Sequence, residues 1–135
     1  MTVETEHLGA LVTEDLARRA IASPHWRWMP GMRAVSQSGK HWRVWSDARS
    51  VYEPEGCMDN VPAEWSKDVP DLSDPATVGC LLALVREAWG DPCLHVGLLP
   101  ARWGVWTSQN MPLHECVGKG ITEAEALVAA LEAAP

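Results

Sequence analysis

Apolar residues crowd most densely between Val78 and Val85, a segment that carries no charge on any side. A stretch that is apolar all round predicts a helix covered on most sides, the centre of the core. Its limits are written beside it. Asp74 is a good N-cap, Pro75 suits the first helical position, Gly90 can take the left-handed conformation past the end, and Pro92 cannot continue the helix. Two further periodic stretches predict helices. Thr13 serves as N-cap for one with Glu14 and Asp15 in its first turn; it buries Leu16, Ala17, Ala20 and Ile21 and ends at Ser23-Pro24. Thr122 and Glu125 form a capping box ahead of Leu127, Val128 and Leu131.

Between the helices the period shortens to two. Met32–Gln37 and His41–Trp45, joined by Ser38-Gly39-Lys40, predict one hairpin, and Leu94–Leu98 with Arg102–Thr107 predict a second. Leu113–Val117 adds a short fifth strand. The fold class is therefore α+β: one domain over residues 1–135, with an antiparallel sheet of four to five strands and three helices. The acidic stretch 47–73, interrupted by Pro54, Pro62 and Pro70, reads as a long irregular connection. At an offset of 61 residues Trp28 aligns with Trp89, Val35 with Val96, Trp42 with Trp103, Val44 with Val105 and Trp45 with Trp106. Residues 13–46 and 74–107 thus read as a duplicated α-β-β unit, or as two hairpins that each need Trp as filler.

Composition sharpens that choice of filler, because the chain has eight Trp, one Tyr and no Phe. Strand alternation puts Trp42 and Val44 on one face of the first hairpin, with His41, Arg43 and Trp45 on the other. In the second hairpin Trp103 and Val105 take the core face, and Arg102, Gly104 and Trp106 the outer one. Arg43, Trp45, Arg102 and Trp106 are then the expected contact surface for a protein partner, since Trp and Arg dominate interaction hot spots. The alternative is that the acidic connection or the N-terminal segment lies over this face, with Trp65 packing there.

Charge divides the chain. Leu16 to Ser46 holds no acid against Arg18, Arg19, Arg27, Arg33, Lys40 and Arg43, whereas Asp47 to Asp71 holds seven acids against Arg49 and Lys67. Either the two neutralise one another, or one faces a partner of opposite charge. The interleaving of Trp26, Arg27, Arg33 and Lys40 keeps a nucleic-acid-binding alternative open, through base stacking and phosphate contacts, against a net charge of −7. No catalytic triad spacing, phosphate-binding glycine loop or close-spaced set of four metal ligands occurs; His114 and Cys116 are one loose pair. The expectation is a non-enzymatic chain without metal or cofactor, the further alternative being an undetected enzyme with scattered carboxylates such as Glu64 and Glu87 as acid-base groups. Cys57, Cys80, Cys93 and Cys116 form no CxxC pair, and Glu4 and Glu6 stand where a secretory leader needs basic residues, which together predict reduced thiols in the cytoplasm. The longest apolar run, Cys80–Val85, is too short to span a bilayer.

The segments Trp-Arg-Trp-Met-Pro-Gly-Met (26–32), Asp-Pro-Ala-Thr-Val-Gly-Cys-Leu-Leu-Ala-Leu-Val-Arg-Glu-Ala-Trp-Gly-Asp-Pro (74–92) and Thr-Glu-Ala-Glu-Ala-Leu-Val-Ala-Ala-Leu-Glu (122–132) resemble small uncharacterised accessory proteins of tailed bacteriophages and prophages. The resemblance brings no known activity or site residues. It implies a protein working in the host cytoplasm by binding a host or phage protein, including as an inhibitor of a defence system such as CRISPR.

Overall fold

The computed structural model describes residues 14–36, 39, 41–46, 50–53, 56–58, 68–108 and 116–135. Helix α1 covers 14–22, α2 Pro75–Trp89 and α3 Glu123–Ala133. The strands are β1 Arg33–Val35, β2 His41–Ser46, β3 Ser50–Glu53, β4 Gly56–Met58, β5 Val69–Pro70, β6 His95–Leu98, β7 Trp103–Trp106 and β8 Gly118–Gly120. The chain is α+β, and its described residues form three helices and antiparallel sheets. No helix among the described residues is long and apolar enough to cross a membrane.

The helix ends follow from their capping residues. The Asp74 side chain accepts from the Thr77 N–H, Pro75 follows it, and Gly90 closes α2 at φ 63° while its N–H bonds back to Arg86 and Glu87 carbonyls. At α3, Thr122 Oγ1 accepts from the Glu125 N–H at 3.1 Å. The Glu125 carboxylate reaches back one residue further than a capping box requires, to the N–H of Ile121. Thr13, the expected cap of α1, lies outside the described residues.

Both hairpins form, but not in one sheet. β1 and β2 belong to a sheet ordered β4-β3-β2-β1-β5, and β6 and β7 to a separate sheet ordered β6-β7-β8. The expected central sheet uniting them is thereby corrected. Each hairpin instead recruits the next segment of chain along its own edge. The 47–73 connection contributes β3, β4 and β5 rather than remaining irregular. Pro70 fits because β5 is an edge strand, where a missing N–H costs no ladder bond.

The third strand of the second sheet is Gly118-Lys119-Gly120; of the expected strand 113–117 only 116 and 117 are among the described residues, and these two precede the strand. Glycine normally weakens a strand, yet here α3 requires it. A Cβ at Gly118 would run into the backbone of Ala126 and Ala130, and one at Gly120 would sit 2.6 Å from Glu125 Cβ. α3 packs chiefly on β8, less on β7 and least on β6.

Buried residues from all three helices and both sheets form one cluster: Leu16, Ala17 and Ala20 from α1; Leu81, Leu84 and Val85 from α2; Leu127, Val128 and Leu131 from α3; with Met32, Val44, Leu94 and Val105. Ala34, Val44 and Val105 are buried, as alternation requires of the core faces, and Trp103 is half-buried against the same cluster. The side chain of Trp42 lies outside the described part. α2 is less covered than its sequence implies. Ala76, Gly79 and Ala83 form an exposed stripe, while Thr77, Leu81, Leu84 and Val85 are buried. Trp89 ties α2 to α3 by donating its indole N–H to the Ala130 carbonyl at 2.8 Å.

Candidate functional site

The four residues expected to form one contact surface stand on two different sheets. Arg43 is on the face of β2 turned from the core and is committed to the fold. Its Nη1 donates to the Gly31 carbonyl at 2.9 Å and to Asp74 Oδ2 at 2.6 Å, and its Nη2 reaches Asp74 Oδ1 at 3.3 Å. Asp74 Oδ2 also accepts from the Thr77 N–H and hydroxyl, at 3.1 and 2.9 Å. Thr77 Oγ1 in turn accepts the Arg33 N–H at 2.8 Å. The N-terminus of α2 is thus stitched to β1 and β2. Burial of the Asp74 carboxyl works to raise its pKa, but the donors Arg43 and Thr77 together outweigh it and hold the group below its ordinary value. Trp45 lies on β2, with its side chain outside the described part.

Trp106 does lie on the outer face of β7, as alternation requires, but it is only 7% exposed. Its ring rests over two glycines. A Cβ at Gly97 would stand 3.3 Å from it, and one at Gly104 2.9 Å, with Cys116 Sγ at 2.8 Å. The His95 imidazole stacks on it with centroids 5.5 Å apart at 21°. Cross-strand pairing accounts for this, since His95 faces Trp106 and Gly97 faces Gly104. Arg102, at the β6–β7 turn, is exposed. Of the four residues, two are built into the molecule and one is presented by it.

The basic segment is likewise occupied. Arg27 pairs with Glu87 at 2.5 Å and Arg33 with Asp71 at 3.8 Å, while Arg33 also meets His41 Nδ1 at 2.9 Å. Arg18 pairs with Glu14 and Arg19 with Glu132. Every arginine in the acid-free stretch 16–46 therefore holds a carboxylate, drawn from α1, α2, α3 and the 71–74 turn. Trp26 meets Trp28 edge-on at 5.4 Å and 83°, and its indole nitrogen is buried without a partner. Lys40 lies outside the described residues.

Sequence reasoning missed three features. A groove of about 530 Å³ lies between α1, the 72–75 turn, α2 and the start of α3, floored by Leu16, Leu72, Pro75, Val78 and Ala124 and rimmed by Glu123. A second, of about 500 Å³, is lined by Trp89, Pro92, Cys93 and Thr107. Beside it the Asp91 carboxylate accepts from the Ser108 N–H at 2.6 Å, the Ser108 hydroxyl and the Cys93 N–H, and the Ser108 backbone bond leads in holding its pKa down. A carboxylate so fully engaged is a loop brace rather than a free base. The third feature is two exposed apolar side chains, Leu98 at 68% and Ile121 at 80%. Only the apolar identity of these two was available as a signal, because nothing in a sequence says where a covering helix stops. Among the described residues no group of three or more His, Cys, Asp or Glu side chains converges. No family model, curated protein or solved structure matches the chain.

Proposed function

We propose that the chain is a non-enzymatic accessory protein of phage type that acts by binding a protein partner with a basic face, in the host cytoplasm, an inhibitor of a host defence system such as CRISPR being one such role. The observation that carries this reading is the pairing of all five arginines of the acid-free stretch with internal carboxylates. Phosphates would have to displace those partners at Arg27 and Arg33, which weighs against the nucleic-acid alternative. The net charge of −7 instead favours a cationic partner and speeds association with it. Asp15 and Glu123, which make no ion pair of their own among the described residues, are the surface charges assigned to that encounter; Arg102 is exposed but carries the opposite sign.

The test is capture from host lysate after nuclease treatment, beside fluorescence anisotropy with single- and double-stranded DNA. A nuclease-resistant partner whose on-rate falls at higher salt, and falls further on Asp15→Lys with Glu123→Lys, supports the reading. Salt-sensitive DNA binding with no protein partner overturns it. We read the shared helix-then-hairpin order of 13–46 and 74–107 as the trace of a duplication. Superposition of the two units in an experimental structure, with Trp42 and Trp103 in like environments, is its check.

A further inference from the structure

We infer that β6 is a docking edge for a second copy of this chain, paired antiparallel to its own β6 about Gly97. The inference is independent of the partner-binding reading above. Val105 is turned toward β8, since its carbonyl accepts the Val117 N–H at 2.7 Å. In an antiparallel ladder it is then Gly104 and Trp106 that bond to β6, opposite Gly97 and His95. The N–H and C=O groups of Val96 and Leu98 consequently point away from the sheet, and no described residue bonds to them.

The residue before them confirms the parity. The Leu94 N–H bonds to the Asp91 carbonyl at 3.1 Å, and the Leu94 carbonyl accepts from Arg86 Nε at 2.8 Å. At the other end Pro100 has no N–H. The open edge is therefore two residues of free backbone, closed at both ends.

The other edges with described surroundings are managed differently. β5 ends in Pro70, and β8 is only three residues long and carries Lys119 at its middle. β6 carries no Pro, Lys or inward charge, and it is where α3 covers the sheet least. There Leu98, on the same side of the sheet as Val96 and Val105, is 68% exposed.

What fits this edge is its own sequence. With a two-fold axis at Gly97, Val96 of each copy opposes Leu98 of the other and exchanges both backbone bonds with it. Leu98 is then covered by Val96 of the second copy on the thinly covered side. Gly97 opposes Gly97 at the close-approach position, where side chains would crowd the Trp106 rings that already lie over those glycines. The result is a continuous sheet β8-β7-β6-β6-β7-β8 across the axis. The contact is short, so it belongs to the weak end of interface sizes, with a dissociation constant on the order of 100 µM.

Sedimentation equilibrium over a concentration series, with amide hydrogen exchange read at each concentration, tests this. The expected result is monomer at low micromolar concentration, dimer toward millimolar, and protection of the Val96 and Leu98 amides rising at least tenfold with the dimer. Leu98→Lys keeps the backbone donor but removes the covered side chain, and Leu98→Pro removes the donor at an exposed position. Both should stay monomeric while keeping the wild-type circular dichroism spectrum. A chain monomeric at every concentration overturns the inference. So does a dimer unchanged by either variant, or protection of Val96 and Leu98 that appears only when a different protein is added.

Discussion

Asp74 does two jobs at once, capping α2 and holding Arg43, and the two can be separated by substitution. Asn caps a helix as well as Asp does, so Asp74→Asn keeps the bond to the Thr77 N–H and removes the charge. Asp74→Ala removes both. Loss of a cap costs about 1 kcal/mol. The ion pair is two-pronged, and the carboxylate side chain is only 10% exposed, but the arginine is 37% exposed. Hydrogen bonds to charged groups contribute about 1.5–3 kcal/mol when sheltered, and the arginine's exposure discounts this to about 1–2 kcal/mol. Asp74→Asn and Arg43→Met should therefore each cost about 1–2 kcal/mol, and Asp74→Ala about 2–4 kcal/mol, because it also leaves the Thr77 hydroxyl without an acceptor. In a double-mutant cycle, Asp74→Asn with Arg43→Met should couple by about 1–2 kcal/mol.

The pH dependence has a fixed sign. The folded-state pKa of Asp74 is depressed, so its stabilisation is complete above the unfolded carboxylate value of about 3.9 and is lost as pH falls through the lower folded value. Thermal melts of wild type and Asp74→Asn should differ most near neutrality, by about 3–5 °C per kcal/mol for a chain of this length, and converge in acid. Equal melting temperatures for the Asn and Ala variants at neutral pH, or a wild-type–Asn difference that persists unchanged in acid, would refute the shared-carboxylate account.

Two further substitutions probe opposite extremes. Gly118→Ala forces a methyl group into the backbone of α3 and should cost about 3 kcal/mol or more, read as a drop in the urea midpoint; a change below about 1 kcal/mol would mean α3 can lift from β8. Arg27→Ala breaks a pair whose geometry is good at 2.5 Å but whose side chains are 53% and 59% exposed, and it should change stability by less than about 1 kcal/mol. A larger loss in the same melt would show that Arg27 packs as well as pairs.

These substitutions also mark where the sequence was readable. The ends of α2 and the start of α3 were legible because Asp74, Pro75, Gly90, Thr122 and Glu125 act within one turn of the backbone they cap. The core faces of β2, at Val44, and of β7, at Val105, were legible because alternation is local too. What failed was non-local. Arg43 was placed on the correct face, but only the fold brings Asp74 within 2.6 Å of it. The strand at Gly118-Lys119-Gly120 went unread, the expected one being 113–117, because glycines pair there only once α3 is laid across them. The run Val78–Val85 looked covered on most sides because Gly79 and Ala83 count as apolar, yet residues that small cost little when left in water, and α2 exposes them.

The same distinction bears on function. Strand alternation offered an outer face of Trp and Arg as a binding surface, and the structure turns much of that chemistry inward. Arg43 braces a helix end, and Trp106 fills the space that Gly97 and Gly104 leave open beneath it. A tryptophan lying over two glycines is held in place by its own sheet. Removing it as Trp106→Ala would expose the backbone of both strands as well as deleting a ring. Loss of partner binding in that variant would therefore report damage to the sheet rather than loss of a contact. Arg102 is exposed and Asp15 and Glu123 hold no arginine, so they can be altered without touching the core cluster. Whether a cationic partner reads the acidic positions is decided by Asp15 and Glu123, with Arg102 as the comparison of opposite sign and the melting temperature held constant as the control.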